Sequence, residues 1–328
     1  MEPEQFGAVA LPRQLDADRL KADLAQLGQQ EFRSQRAYGK DLTPSAEAAV
    51  DWTVLALRSP GGLDDRTDPG GAGLVEYGDT SAARNAPYLA SIVASLPTRV
   101  RAARLMALGP GASVDTHRDY PYGLPAGWVR LHAPIVTNPG AVLVIDGEEH
   151  CWQPGSFWYG DFSRPHSVRN TGSARRVHLV IDCFVNSDLL DLFPHQFKES
   201  VRWTEVLLER PDLPLSQSEQ EELTCDFSLP EAFLWGEVED LVRNGTPSQE
   251  GHLRMIDGGL TLHAGERPVG RLIHIGQGEF RFAGWNAERT IQLDLQRSAP
   301  LVRFRRRYGS RLDEAVLPVT RLSTPAPV

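Results

Sequence analysis

Three residues of this 328-residue chain could do chemistry together: His117 and Asp119 in "VDTHRDYPYG", and His166 in "DFSRPHSVRN". On a strand, residues two apart point to the same side, so His117 and Asp119 project together while Arg118 points away. A histidine from another strand would complete a set of two imidazoles and one carboxylate. That set leaves one face of an octahedral metal open, which suits Fe(II) working with O2 and a co-substrate. The same residues would also be at home as solvated or hydrogen-bonded groups near turns. Spacing alone does not choose between the two.

Two further stretches carry donors at a period of two. In "WVRLHAPI", Arg130 and His132 share a face opposite Val129, Leu131 and Ala133. In "RRVHLVID", Arg176, His178 and Asp182 share a face opposite Val177, Leu179 and Ile181. One apolar face and one donor-rich face per strand is what an interior binding cavity needs. A dicarboxylate co-substrate such as 2-oxoglutarate requires a fixed arginine for bidentate pairing, and Arg176 is well placed for its C5 carboxylate. The competing reading makes Arg176 and Asp182 an exposed edge and His132 a satisfied core histidine.

The elements that must position these residues follow from the pattern around them. "DADRLKADLAQLG" predicts a helix with Asp16 as cap, Leu20, Leu24 and Leu27 on one face and Gly28 at its end. "NAPYLASIVASLP" predicts a second, with Pro87 in its first turn. Between them "DWTVLALRS" reads as a strand and "LDDRTDPGGAG" as an irregular loop. From Val100 to Phe184, short β-like runs alternate with turn signals such as "GPGAS", "TNPG" and "DGEE". That texture predicts a mainly β fold, a double-stranded β-helix of the cupin or jelly-roll kind with helices covering one side.

Beyond Asn186, "VRWTEVLLER", "SQSEQEELT" and "PEAFLWGEVEDLVRNG" predict helices, and β texture returns after "NGTPSQEG" with a hairpin signal at Asp257-Gly258-Gly259. The predicted organisation is a jelly-roll domain with N-terminal helices over residues 1–186, a helical extension over 187–245, and a small β-rich accessory module over 246–328.

Composition narrows the partners. A net charge of −9 argues against broad nucleic-acid binding, which needs a basic surface. No run approaches the ~18 apolar residues of a membrane span, and the opening "MEPEQFGAVALPRQL" has no signal-peptide core. Cys151, Cys183 and Cys225 form no CxxC pair, so a reducing, cytoplasmic setting is expected. Nothing in the sequence speaks to oligomeric state.

The segment from about Ala103 to Phe184 resembles the aspartyl/asparaginyl β-hydroxylase-like Fe(II)/2-oxoglutarate dioxygenases, most of all their bacterial proline-hydroxylase branch. "THRDY", the Arg-x-His of "RLH", "GSFWYGDFSRPHS" and "RRVHLVID" carry the resemblance. Weaker similarity extends upstream through "LPRQLDADRLKADLAQL" and "APYLASIV". The resemblance implies that His117, Asp119 and His166 hold iron and that Arg176 clamps the C5 carboxylate of 2-oxoglutarate. Arg130 and His132 would line the co-substrate site. Animal aspartyl β-hydroxylases have no carboxylate at the position of Asp119, so the chain follows the branch with a full triad.

The implied reaction couples oxidative decarboxylation of 2-oxoglutarate by O2, giving succinate and CO2, to hydroxylation of an unactivated C–H of an amino acid. Tyr120, Tyr122, Arg118, Trp158 and Arg164 lie near the motifs as candidates for substrate contact or for the rim. The ~140 residues after the jelly roll favour an Asp, Asn or Pro residue within a peptide or carrier-bound precursor of a natural-product pathway. A free amino acid such as L-proline is the alternative. Other classes are a non-catalytic cupin that binds a metal or ligand, which has no use for an arginine clamp, and a metal-assisted isomerase, which usually shows three histidines. "LVRFRRRYGSR" gathers Arg303, Arg305, Arg306, Arg307 and Arg311 in an acidic chain. These arginines would either dock an acidic partner or guard a strand edge.

Overall fold

The computed structural model describes residues 6–35, 50–119, 122–235, 241 and 247–322. Two compact units emerge: residues 1–70 with 77–208, and residues 71–76 with 209–328.

Among the described residues the first unit contains twelve strands. They are β1 (Ala8–Ala10), β2 (Arg33–Ser34), β3 (Trp52–Pro60), β4 (Tyr77–Asp79), β5 (Val100–Leu108) and β6 (Ser113–His117). There follow β7 (Trp128–Val136), β8 (Ala141–Ile145), β9 (Glu148–His150), β10 (Trp158–Gly160), β11 (His166–Asn170) and β12 (Arg176–Phe184). The larger sheet runs β1-β10-β7-β12-β5-β3-β2, with β4 on β3; the smaller runs β6-β11-β8-β9. Every pairing is antiparallel. This is the jelly roll that the sequence predicts.

The larger sheet is two-faced, as the alternation requires. Val129, Leu131, Ala133, Val177, Leu179, Ile181, Leu105 and Ala107 pack into the main core with the helices. Helix α1 (Ala17–Gln26) starts at Asp16, whose carboxylate accepts from the backbone N–H groups of Asp18 and Arg19. It runs into a 3-10 turn over Leu27–Gln29, so the chain does not stop at Gly28. Helix α2 (Ser81–Arg84) is capped by Thr80, and α3 (Pro87–Ala94) begins on its proline and buries Leu89 and Ile92 completely. Asp23 of α1 accepts from the Leu89 N–H at 2.9 Å, which fixes one helix on the other. Short helices α4 (Ser187–Leu190) and α5 (His195–Ser200) close the unit, with Phe193 and Phe197 stacked beside Tyr159.

The opposite face of this sheet looks at the smaller sheet and carries polar groups. Arg176 and Asp182 are buried there at 6% and 0% exposure, so they do not form an exposed edge. The turn Asp146-Gly147 between β8 and β9 has positive φ at both residues, the geometry a two-residue hairpin demands.

The second unit is a closed barrel of eight strands in sequence order. These are β13 (Cys225–Pro230), β14 (Ser248–Ile256), β15 (Gly259–Ala264), β16 (Arg267–His274), β17 (Glu279–Phe282), β18 (Arg289–Asp294), β19 (Leu301–Tyr308) and β20 (Arg311–Leu322). The interior is filled by Phe227, Phe233, Phe280, Phe282 and Phe304, all nearly inaccessible. Gly251 and Gly270 sit where a Cβ would meet the Phe227 and Phe282 rings.

The stretch predicted as a helical extension departs from expectation. It contains helices α6 (Gln217–Glu221) and α7 (Glu231–Trp235), but also strand β13, which pairs with β14 and β20. Cys225, Phe227 and Leu229 alternate with polar residues, a period-2 signal that reads as a strand. "VRWTEVLLER" forms only a 3-10 turn at Trp203–Glu205. Just beyond it, Arg210 pairs with Glu279 at 2.5 Å, Asp212 with Arg281 at 2.8 Å, and the Leu213 N–H donates to the His274 carbonyl. Those bonds hold 210–213 extended, overriding a weak helix propensity. Residues 71–76, which begin in the predicted irregular loop and run three residues past it, also belong to the barrel unit, through a bridge between Gly73 and Ala283 and an ion pair between Glu76 and Arg281. Most of "GEVEDLVRNG" lies outside the described residues, as does Tyr120.

Among the described residues no helix is long and apolar enough to cross a membrane. The three cysteines are free, with Cys183 and Cys225 buried and Cys151 exposed.

Candidate metal centre and co-substrate pocket

His117 ends β6 and His166 begins β11, and the two are directly paired across the smaller sheet. Their rings lie 4.2 Å apart, centroid to centroid. Asp119 lies beyond the end of β6, so it does not share a strand with His117 as the spacing predicts. The chain leaves the ladder, and the Asp119 N–H instead donates to the Phe162 carbonyl at 2.9 Å. Arg118 reinforces that attachment by donating to the Ser163 carbonyl at 3.0 Å. The outcome is a cluster: one ligand atom each from His117, Asp119 and His166, all within 4.8 Å of one another. Asp119 Oδ1 is 3.7 Å from His117 Nε2 and 3.9 Å from His166 Nε2.

The imidazoles are set for a cation. His117 Nδ1 lies 2.8 Å from the Asp115 carbonyl and His166 Nδ1 2.9 Å from the Arg164 carbonyl. A carbonyl only accepts, so each Nδ1 carries the proton and each Nε2 lone pair faces Asp119. Burial lowers the His166 pKa, which keeps the ring neutral and able to coordinate. The other carboxylate oxygen of Asp119 accepts from Arg130 Nη1. Two nitrogens and one oxygen with no thiolate suit a borderline metal such as Fe(II).

Arg130 is thereby committed. It also donates to Asp182 Oδ1 at 2.7 Å and to the Tyr122 hydroxyl at 2.7 Å. Burial alone would raise the Asp182 pKa, but Arg130 and Arg104 beside it hold it down to about 2. Tyr122, pushed up to about 12 by burial, stays a neutral phenol. Arg130, predicted to line the co-substrate site, donates to the carboxylate of Asp119.

Arg176 is in a different position. It is buried, and no carboxylate among the described residues pairs with it. Its one hydrogen bond donates from Nη2 to His178 Nδ1 at 2.9 Å. Burial lowers its pKa to about 10, so the guanidinium remains charged at neutral pH. Beside it, burial, then the charge of Arg176, keeps His132 and His178 well below the ordinary imidazole range and neutral. His132 Nε2 and the indole Nε1 of Trp152 are buried with no hydrogen-bond partner. Trp152 contacts the rings of His132 at 5.4 Å and His178 at 6.2 Å, so these orphaned groups gather around one space. A buried cation and partnerless polar groups call for an anion with several acceptors. The dicarboxylate expected from the sequence fits.

The sequence reading passed over Trp152 in "HCWQ", since an aromatic in a short strand reads as packing. It also passed over Arg104, which is buried on β5 and donates to Asp182 at 3.2 Å. Of the weaker candidates, Arg164 pairs with Asp161 and Asp146 and braces the turn before His166, and Trp158 stacks flat on Trp152. Phe162 packs between the His132 and His166 rings.

The profile of the aspartyl/asparaginyl β-hydroxylase family matches residues 14–185. The chain belongs to that family. It is similar to an L-proline cis-4-hydroxylase of Rhizobium meliloti (strain 1021), with 28% identity over 199 residues, 57% of this chain. The match covers 62% of that relative, under two thirds of its length. Among solved structures, a 2OG-Fe(II) oxygenase-family oxidoreductase from Burkholderia pseudomallei aligns with 55% of this chain and 86% of its own, at 13% identity and a TM-score of 0.39. A Pseudomonas putida prolyl-4-hydroxylase aligns with 56% and 95%, at 16% identity and a TM-score of 0.36.

Proposed function

We propose that the chain is an Fe(II)- and 2-oxoglutarate-dependent hydroxylase acting on an unactivated C–H of a free amino acid, with L-proline the leading candidate. The observation that carries the reading is Arg176: a buried guanidinium without a carboxylate, on the same sheet face as the residues that reach the His117–Asp119–His166 cluster. Family membership and the L-proline hydroxylase relative support the choice of chemistry and substrate class.

In this reading His117 Nε2, His166 Nε2 and Asp119 Oδ1 hold the iron, and Arg176 binds the C5 carboxylate of 2-oxoglutarate, with His132 and Trp152 lining the same space. Iron supplies the redox chemistry with O2 and 2-oxoglutarate that ends in succinate, CO2 and a hydroxylated carbon. The chain's own work is positional. Carbonyl-bound Nδ1 protons fix both imidazoles, Arg130 turns Asp119, and the apolar wall of Phe162, Trp152 and Trp158 excludes water.

The arginines of "LVRFRRRYGSR", a candidate docking surface for an acidic peptide or carrier, pair with carboxylates of their own chain. Arg305 pairs with Glu314 at 2.5 Å, Arg307 with Glu279 at 2.6 Å, Arg311 with Asp313 at 2.7 Å, and Arg303 with Asp294 at 3.5 Å. Arg306 is buried against Glu288 at 3.1 Å. That pairing favours the reading of this run as a charge-guarded strand over a docking surface for an acidic partner. A non-catalytic cupin would gain nothing from an unpaired buried arginine.

The test is succinate formation from 2-oxoglutarate with Fe(II), screened over free amino acids and blocked peptides. Turnover stimulated by a free amino acid supports the reading. Stimulation by peptides alone overturns the substrate, and absence of any succinate overturns the activity.

A further inference from the structure

Strands β6 and β11 do not run in simple register. His117 pairs with His166 and Val114 with Val168, so three steps along β6 match two along β11. Asp115 and Thr116 together oppose Ser167, two residues against one, which is a β-bulge. The count decides which way His117 points. Residues paired across a ladder share a face, and so do His166 and Val168, two apart on one strand. Val168 packs against Leu143, Ile145, Trp152 and Phe162, so that face is the interior of the jelly roll. Val114 and His117 are three apart and in an unbroken strand would point to opposite sides. Regular pairing continued from Val114 would set Thr116 opposite His166 and turn His117 outward. The extra residue in β6 removes that mismatch.

The same irregularity supplies a hydrogen bond. Asp115 has no partner on β11, and β6 is the last strand of its sheet. The Asp115 carbonyl lies 2.8 Å from Nδ1 of His117, two residues ahead. His166 is held in the same way, its Nδ1 2.9 Å from the carbonyl of Arg164, two residues back. There β11 has not yet begun, and Pro165, which lacks an N–H, separates Arg164 from it. Each imidazole thus takes its acceptor from backbone outside the ladder. A metal-binding histidine needs such a partner on its other nitrogen, to fix the tautomer and the angle of the ring.

We infer that the Asp115–Thr116 bulge is the positioning device for His117: it turns the imidazole to the interior face and frees the Asp115 carbonyl to hold its Nδ1 proton. The inference rests on the metal-centre reading above and names the backbone feature on which that site depends. Asp115 and Thr116 act through the main chain, and their own side chains are exposed. Removing one residue separates the two effects of the bulge. Deletion of Thr116 leaves Asp115 alone opposite Ser167, so His117 keeps its place opposite His166 and its face. The carbonyl two residues back is then that of Val114, which is paired in the ladder.

The experiment measures Mn(II) binding to the full chain by calorimetry and reads the histidine tautomers of the metal-free protein by nitrogen-15 NMR, at a pH where the rings are neutral. Two variants are compared with the wild type. One is the deletion of Thr116. The other replaces Thr116 by its α-hydroxy counterpart, which turns the Asp115–Thr116 amide into an ester with a weaker carbonyl acceptor and leaves the register alone. The expected result is a loss of Mn(II) affinity of about 10- to 100-fold in the deletion variant and a smaller loss in the ester, the range found when a ligand histidine loses its outer partner. In both, His117 should lose its fixed Nδ1–H tautomer while His166 keeps its own and the far-ultraviolet circular dichroism is unchanged. Wild-type affinity and tautomer in the deletion variant overturn the inference and leave the metal centre standing. If the deletion unfolds the chain the ester decides alone, and wild-type affinity and tautomer there overturn the inference equally. Failure of the wild type to bind Mn(II) overturns the inference together with the metal-centre reading.

Discussion

His166 is the most demanding of the proposed ligands, because it is buried and its ring has one free nitrogen. His166→Ala should abolish tight binding of Fe(II) or Mn(II), read by calorimetry, with the far-ultraviolet circular dichroism unchanged. Metal affinity equal to that of the wild type would remove the residue from the site. The two adjacent arginines offer a sharper contrast. Arg175 is exposed and pairs with Asp51 at 3.2 Å, whereas Arg176 is buried with no carboxylate. Arg176→Ala should weaken 2-oxoglutarate by about 10- to 150-fold, one charge-assisted pair of roughly 1.5–3 kcal/mol. Arg175→Ala should change it less than about twofold, since a surface pair contributes little. Equal losses would mean that the clamp lies elsewhere. These residues were legible because alternation along "RRVHLVID" separates donors from apolar side chains. Arg104 was not legible: "VRAARLMAL" shows two arginines in an apolar run, and only the fold brings Arg104 to within 3.2 Å of Asp182, which Arg130 also holds.

At the scale of elements, β7 and β12 each place one neutral histidine inside the jelly roll. Burial depresses the pKa of His132 and His178 in the fold, while in the unfolded chain both titrate near 6.5. The unfolded state therefore takes up protons first on acidification, and stability is complete only above about pH 6.5. It should fall with pH below that value, by about 1.4 kcal/mol per pH unit for each histidine, for as long as the folded rings stay neutral. Asp182 acts lower down: its stabilising charge is complete above its unfolded pKa of 3.8 and is lost as pH falls through about 2. Urea unfolding of the first unit at pH 7, 6 and 5 checks the histidine limb. A flat profile across that range would show that the rings are charged in the fold.

The whole molecule contains a jelly roll and a second, closed barrel in which several arginines pair with carboxylates of the same unit. Arg306 and Glu288 are 1% and 2% exposed, and Trp285 Nε1 also donates to Glu288 at 2.8 Å. Arg306→Ala leaves a buried carboxylate uncompensated and should destabilise the barrel by about 3–5 kcal/mol, seen as a lower transition in thermal unfolding. An unchanged transition would mean that Glu288 finds another partner or is protonated. Replacing Arg303, Arg305 and Arg307 together should likewise lower stability and leave KM without a salt dependence, because these side chains face carboxylates of their own chain.

Sequence by itself determined a good deal. Period-2 alternation dictated the two faces of β7 and β12, and turn chemistry at Asp146-Gly147 and Asp257-Gly258 dictated where hairpins close, because φ above zero is accessible there at little cost. Both are local properties, readable one strand at a time. Tertiary structure decided the rest. Asp119 reaches the histidines through a bond from its backbone N–H to the Phe162 carbonyl, more than forty residues away, and not through a shared strand. The segment 210–213 is extended because Glu279 and Arg281 seize it, and β13 joins a barrel whose other seven strands follow it in the chain. Whether an arginine is a clamp, a brace or a silent surface charge depends on which carboxylates come within about 4 Å of it. That is a fact about distance in space, and residue order along the chain does not carry it.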